Sequence, residues 1–266
     1  MRIALGLEYD GSGFCGWQTQ PDACAVQDAL EQALSEVAGK RIETVCAGRT
    51  DTGVHALAQV VHFEAHTDRP LNAWVRGANA LLPQSVAVIW SCVVNEAFHA
   101  RFSATGRRYV YWLLSRPQRP GLLGGRVGWT HRPMDDTAMR EAAACLLGEH
   151  DFSAFRASEC QAKTPVKTMR EVSIARRGDL IRIEFAADAF LQHMVRNIVG
   201  SLVYIGSGRQ PVGWMRQLLD GRDRTRAAPT FSPAGLYLAG VEYDAAWALP
   251  PNPDVLRVEE VLASAG

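Results

Sequence analysis

Three side chains able to do chemistry fall close together in the stretch Ala-Gly-Arg-Thr-Asp-Thr-Gly-Val-His-Ala, residues 47–56: Arg49, Asp51 and His55. A carboxylate beside a guanidinium can stay ionised even when partly buried, because the cation offsets the cost of desolvation. Asp51 placed in that way can serve as a nucleophile or a general base. The competing reading is a turn residue, since Asp flanked by Gly48 and Gly53 commonly caps neighbouring N–H groups. Two observations weigh against a plain turn. The connection between the flanking strand-like segments is longer than the roughly two to five residues that a hairpin needs. Apart from Glu43, no other acid lies within ten residues of Asp51 on either side. His55 is read as a structural residue.

Two further stretches carry candidate groups. In Ala-Arg-Phe-Ser-Ala-Thr-Gly-Arg-Arg-Tyr-Val-Tyr-Trp-Leu-Leu, residues 100–114, strand alternation sets Tyr109 and Tyr111 on one face and Arg108 on the other. Such tyrosines are either sheet-packing residues or rings that stack on a nucleobase beside phosphate-holding arginines. In Ala-Phe-Leu-Gln-His-Met-Val-Arg-Asn-Ile-Val-Gly-Ser-Leu, residues 189–202, an apolar stripe runs through Val195, Ile198, Val199 and Leu202. Arg196 lies off that stripe, near Gln192 and His193 at the start of the helix, aimed either at a neighbouring surface or at solvent.

The elements that must position these groups follow from periodicity. Residues 2–9 alternate as a strand, and Val26, Ala29, Leu30, Ala33, Leu34 and Val37 have helical spacing. Residues 41–47 and 58–66 read as strands on either side of Asp51. Leu71, Trp74, Val75, Ala78, Leu81 and Leu82 predict a helix that Pro83 ends, and residues 86–94 form an apolar strand. The order β-α-β-β-α-β then repeats. Residues 107–114, 166–176, 180–186 and 236–243 are strands, and Met139 to Leu147 and Val195 to Val203 are helices, with a short helix after Pro211. We expect an α+β protein of tandem duplicated ferredoxin-like units with antiparallel sheets and an active-site cleft between the two domains. The expected boundaries are 1–103, 104–245 and a Pro-containing tail over 246–266.

Composition narrows the classes. The 266 residues carry 28 basic and 28 acidic side chains, so a uniformly basic polyanion binder is excluded. The charge is nonetheless uneven. Seven arginines and no acid lie between His99 and Arg132, while five carboxylates against one arginine follow from Glu242. That asymmetry fits a local surface for a polyanion. No membrane span or signal peptide is legible, which predicts a cytoplasmic protein. The six cysteines, Cys15, Cys24, Cys46, Cys92, Cys145 and Cys160, have neither Cys-x-x-Cys nor zinc-finger spacing and are expected to be reduced and mostly buried. There is no phosphate-binding Gly-x-x-x-x-Gly-Lys, no dinucleotide-binding Gly-x-Gly-x-x-Gly after a strand and no His-Glu-x-x-His. No cofactor and no metal are expected.

Taken with Tyr-Asp-Gly-Ser-Gly-Phe-Cys-Gly-Trp-Gln-Thr-Gln-Pro (9–21), His-Asp-Phe-Ser-Ala-Phe (150–155) and Gly-Leu-Tyr-Leu (235–238), these stretches resemble the tRNA pseudouridine synthase A family over residues 1 to about 243. One departure is Cys-Ala-Val-Gln-Asp-Ala-Leu-Glu-Gln-Ala-Leu (24–34), where the family often has a glycine after Val-Gln and this chain has Asp28. The resemblance implies an isomerase that converts uridine to pseudouridine at nucleotides 38, 39 and 40 of the tRNA anticodon arm, without cofactor or metal, as a homodimer. It assigns Asp51 as the catalytic aspartate, Arg49 as the residue that helps turn out the target base, and Tyr109 as the active-site tyrosine. Arg196 becomes the basic partner of Asp51. We add His193, Arg101 and Arg108 as substrate-binding candidates.

The reaction breaks the N1–C1′ bond, rotates the uracil and forms C5–C1′. One carboxylate suffices, because no water has to be activated. Alternative readings are a non-catalytic tRNA-binding protein and a hydrolase that releases free uracil. The hydrolase would want a second acid near Asp51.

Overall fold

The computed structural model describes residues 1–251, and it forms two compact units, Met1–Thr105 with the chain from Leu238 onward, and Gly106–Tyr237. Residues 252–266, most of the tail expected from residue 246, lie outside the described residues.

In the first unit, β1 (Arg2–Tyr9) is the central strand. It pairs antiparallel with β3 (His55–Glu64) and with β4 (Val86–Val94). The register sets Ile3 against Phe63, Leu5 against Val61 and Leu7 against Gln59. Helices α1 (Val26–Ala38) and α2 (Leu71–Leu81) supply the apolar cover through Val26, Leu30, Leu34, Trp74 and Ala78. Phe63 meets Trp74 edge to face at 5.0 Å, and both are buried. Removing each such side chain from water contributes roughly 1.5–3 kcal/mol. α1 stops at Gly39, whose φ of 67° is left-handed, and α2 stops before Pro83.

Two expectations are corrected in this unit. The strand expected over 41–47 is only β2 (Val45–Cys46), and β3 begins earlier than expected, at His55. β10 (Leu236–Tyr243), expected to close the second unit, runs from Leu238 onward in the first unit, next to β3. Because β2 is two residues long, most of that flank of β3 is open for β10 to take. Trp247, in the expected tail, packs on Phe98 with ring centroids 5.3 Å apart.

In the second unit the strand order is β5 (Ala104–Ser115), β9 (Leu180–Ala187), β8 (Val166–Arg177) and β7 (Gly148–Asp151), with antiparallel neighbours. β6 (Gly128–Thr130) adds a parallel pairing to β5. β8 and β9 turn at Gly178, which has φ of 58°. α3 (Asp136–Ala143) is capped by the Asp135 carboxylate, which accepts from the Ala138 N–H at 3.0 Å. α4 (Met194–Gly206) is buried on nearly every side, and α5 (Trp214–Gly221) follows it. No helix among the described residues is long and apolar enough to cross a membrane.

Candidate active site

Asp51 lies in the connection Ala47–Val54 between β2 and β3. The turn there is made by backbone. The Val54 N–H donates to the Asp51 carbonyl at 3.1 Å, and Gly53 takes the left-handed φ of 75° that such a turn needs. The Asp51 residue is half-buried, between buried Thr50 and exposed Thr52.

Buried polar groups hold the approach to it. The Gln59 amide, on β3 and fully buried, donates from Nε2 to the Gly48 carbonyl at 2.6 Å and accepts the Gly48 N–H at 3.4 Å. Tyr9 Oη, at the end of β1, lies 2.8 Å from Thr50 Oγ1. The Trp17 N–H donates to the Thr50 carbonyl at 3.0 Å. Gly16 has φ of 100°, and a Cβ on it would stand 2.7 Å from the same carbonyl oxygen. Beyond the turn, buried His55 accepts the Gly11 N–H on Nδ1 at 3.1 Å, with Asp10 Oδ1 3.2 Å away.

The segment that packs here carries another correction. Cys15 and Cys24, expected to be reduced, form a disulfide with Cα atoms 5.5 Å apart. The Cys15 N–H donates to the Cys24 carbonyl at 3.0 Å, so the backbone already brings the two thiols within bridging distance. Cys46 and Cys92, which are half-buried, and buried Cys160 stay free, as does half-buried Cys145.

Two arginines of this unit act on the Cys46 thiol. Burial pushes the Cys46 thiol up to about 11, opposed by Arg49 and Arg101. Both arginines therefore act on one place beside the Asp51 loop, and both are exposed. The Arg101 guanidinium also sits 5.6 Å over the ring of Phe102.

The second unit holds the remaining candidates. Half-buried Tyr109 meets Phe190 edge to face at 4.9 Å and lies opposite Phe185 in register. Tyr111 is fully buried and donates its hydroxyl to the Ser232 carbonyl at 2.9 Å. Burial pushes its phenol far up, against an opposing pull from Arg196. Arg196 is thus on the Tyr111 side of β5, and its Nε donates to the Phe231 carbonyl at 2.9 Å. Beside it, fully buried Asn197 donates to the Phe155 carbonyl at 2.8 Å and accepts from Arg224 at 3.0 Å and Thr230 at 2.7 Å. His193 and Gln192 precede α4 rather than opening it, and His193 has φ of 62°. Arg108 is drawn to acids: its Nη1 donates to Glu171 at 2.8 Å and to Glu184 at 2.6 Å.

The sequence reading missed Tyr9, Gln59 and Asn197. The available signal for Gln59 was an amide inside an apolar run, between Ala58 and Val60; Asn197, next to Arg196, gave no such signal. A buried amide needs partners, and loops are where spare backbone groups lie.

The two units make an α+β protein in which Asp51 stands on a loop with Arg49 two residues before it in sequence. A family model described as tRNA pseudouridine synthase matches residues 7–103 and 142–244. The chain belongs to the tRNA pseudouridine synthase family, and is an isomerase by that membership. It is 59% identical over 262 residues to the tRNA pseudouridine synthase A of Nitrosomonas eutropha, covering 98% of this chain and 94% of that one. It is 60% identical to the protein of the same name from Dechloromonas aromatica, covering 96% and 98%. With that of Chromobacterium violaceum the identity is 58%, covering 97% and 99%.

Proposed function

We propose that this protein isomerises uridine to pseudouridine at nucleotides 38, 39 and 40 of the tRNA anticodon stem-loop, as a cytoplasmic homodimer without cofactor or metal. Asp51 is the essential carboxylate. It either adds to C1′ and is released when C5–C1′ forms, or takes the C2′ proton as the N1–C1′ bond breaks and returns it to C2′; in both routes the C5 proton leaves after C5–C1′ forms and N1 takes up a proton, so product and substrate have the same composition. Arg49 fills the place of the displaced base, and extruding that base costs a few kcal/mol. Tyr109 stacks on the uracil, Arg196 is a further catalytic residue, and Arg101 and His193 contact the RNA.

The observation that carries this reading is the half-buried Asp51 in the Ala47–Val54 connection of a chain 59% identical, over 98% of its length, to a tRNA pseudouridine synthase A. The test is Asp51→Asn with unmodified tRNA, mapping pseudouridine site by site. We expect tRNA binding and no product. Turnover by that variant would refute the assignment, free uracil would indicate a hydrolase, and binding without product by the wild type would indicate a binding protein. A slowed reaction on C2′-deuterated uridine marks the proton-abstraction route.

A further inference from the structure

Gln59 and Tyr9 form one buried chain of hydrogen bonds that brackets Arg49. Gln59 engages Gly48 through both the N–H and the carbonyl. Its Nε2 also reaches Tyr9 Oη at 3.5 Å, and Tyr9 Oη reaches Thr50 Oγ1 at 2.8 Å. The residues on both sides of Arg49, one of them adjacent to Asp51, are therefore tied to β1 and β3. Tyr9 is 4% exposed and Gln59 0%. Both sit in strands whose inward positions are otherwise mostly apolar, where an unpaired amide or hydroxyl costs several kcal/mol. Ladder hydrogen bonds cannot do this work, because β2 ends at Cys46 and β3 starts at His55.

We propose that Gln59 and Tyr9 are positioning residues for the isomerisation, acting through Gly48 and Thr50 to fix where Arg49 and Asp51 stand. The inference rests on the reading of Asp51 as the reacting carboxylate. Neither residue needs to touch RNA. Loss of either lets the loop drift by a fraction of an ångström, and a misplacement of about 1 Å can cost on the order of 100-fold in rate.

The test compares Gln59→Met, Gln59→Glu and Tyr9→Phe, each in the full chain. Three measurements are made: single-turnover rate at saturating unmodified tRNA, Kd for tRNA by filter binding, and thermal unfolding. Positioning predicts a rate loss on the order of 100-fold for Gln59→Met and about 10-fold for Tyr9→Phe, with Kd within about threefold of wild type. Gln59→Glu keeps an acceptor for the Gly48 N–H and is expected to lose less rate than Gln59→Met.

A purely structural role would lower the unfolding temperature and leave the rate of the folded enzyme unchanged; that result overturns the proposal. So does a weakened Kd with unchanged single-turnover rate. If Gln59→Met does not fold, Tyr9→Phe decides alone, since it removes one oxygen and keeps the ring; a wild-type rate for it overturns the proposal. Failure of the functional reading is distinct, because Asp51→Asn would then still form pseudouridine, or the wild-type protein would form none.

Discussion

Gly16→Ala perturbs the Asp51 loop from outside, without altering any charged or hydrogen-bonding group. The new Cβ would stand 2.7 Å from the Thr50 carbonyl oxygen, 3.1 Å from the Asp51 carbonyl carbon and 3.2 Å from the Thr52 nitrogen. All three are backbone atoms, so no side chain can swing away. An ordinary contact begins at 3.4 Å, so the loop must retreat by about 0.7 Å. Gly16 also has φ of 100°, where an L side chain costs on the order of 1–3 kcal/mol. Overpacking adds about 1–3 kcal/mol. We expect a total destabilisation of roughly 2–6 kcal/mol. The variant that remains folded should react up to about 100-fold more slowly, because the displaced atoms belong to Thr50 and Asp51. Urea unfolding gives the first quantity, and single turnover with saturating unmodified tRNA gives the second. Gly13→Ala is the control, since its Cβ meets nothing within 4 Å and its φ is not positive. Wild-type stability and rate for Gly16→Ala would refute the reasoning, because they would mean that this loop is not held against Gly16.

Three other outcomes follow from named contacts. Reducing Cys15–Cys24, or replacing both cysteines by serine, should cost about 2–3 kcal/mol of stability on the chain-entropy estimate for so short a loop, read by urea unfolding with and without reductant. Asn197→Leu leaves the Phe155 carbonyl and the Arg224 and Thr230 donors without their partner, and should cost about 2–4 kcal/mol in the same assay. Burial, then Arg2, lowers the His62 pKa from 6.5 to about 4, and its Nδ1 accepts the Ala100 N–H. The folded state thus resists a proton that the unfolded chain takes up. This contribution to stability is complete above pH 6.5 and is lost as the pH falls toward about 4. His62→Gln should show a flatter stability profile across that window.

Periodicity made α1, α2, β4 and β10 legible, because each buries one face or both and apolar spacing records burial. It failed over 41–47, where Ile42 and Thr44 are buried but only Val45 and Cys46 pair with β3. Alternation reports which way side chains point, and it does so whether or not a strand partner exists. The company that Arg108 keeps was hidden for another reason. Glu171 lies across β9 at Ala186, the residue that faces Arg108, and such alignment exists only once register is set. The disulfide escaped because nothing in a nine-residue separation shows that the backbone folds Cys15 onto Cys24. Of the candidate site, Asp51 and the arginines were proposed from residue types and motif; an amide within the apolar run marks Gln59, but nothing in the sequence shows that it meets Gly48.

Buried amides bear on the proposal that one carboxylate carries the reaction. A catalyst with a single acid depends on where that acid stands, and apolar packing is non-directional, so it sets position only loosely. Hydrogen bonds set both distance and angle. The chain places a fully buried amide near each of two candidate arginines: Gln59 grips Gly48, adjacent to Arg49, and Asn197 is the neighbour of Arg196 in α4. An apolar residue at either position could fill the volume but would leave loop carbonyls and N–H groups unmet. The amide therefore performs two tasks that need not separate in a stability measurement but do separate in kinetics. Lost packing changes how much enzyme is folded, whereas lost direction changes how fast each folded molecule reacts. On that ground, damage to Gln59 should appear in single-turnover rate at constant affinity, while damage to Asn197, which ties α4 to the chain around Phe155 and Thr230, should appear first in unfolding.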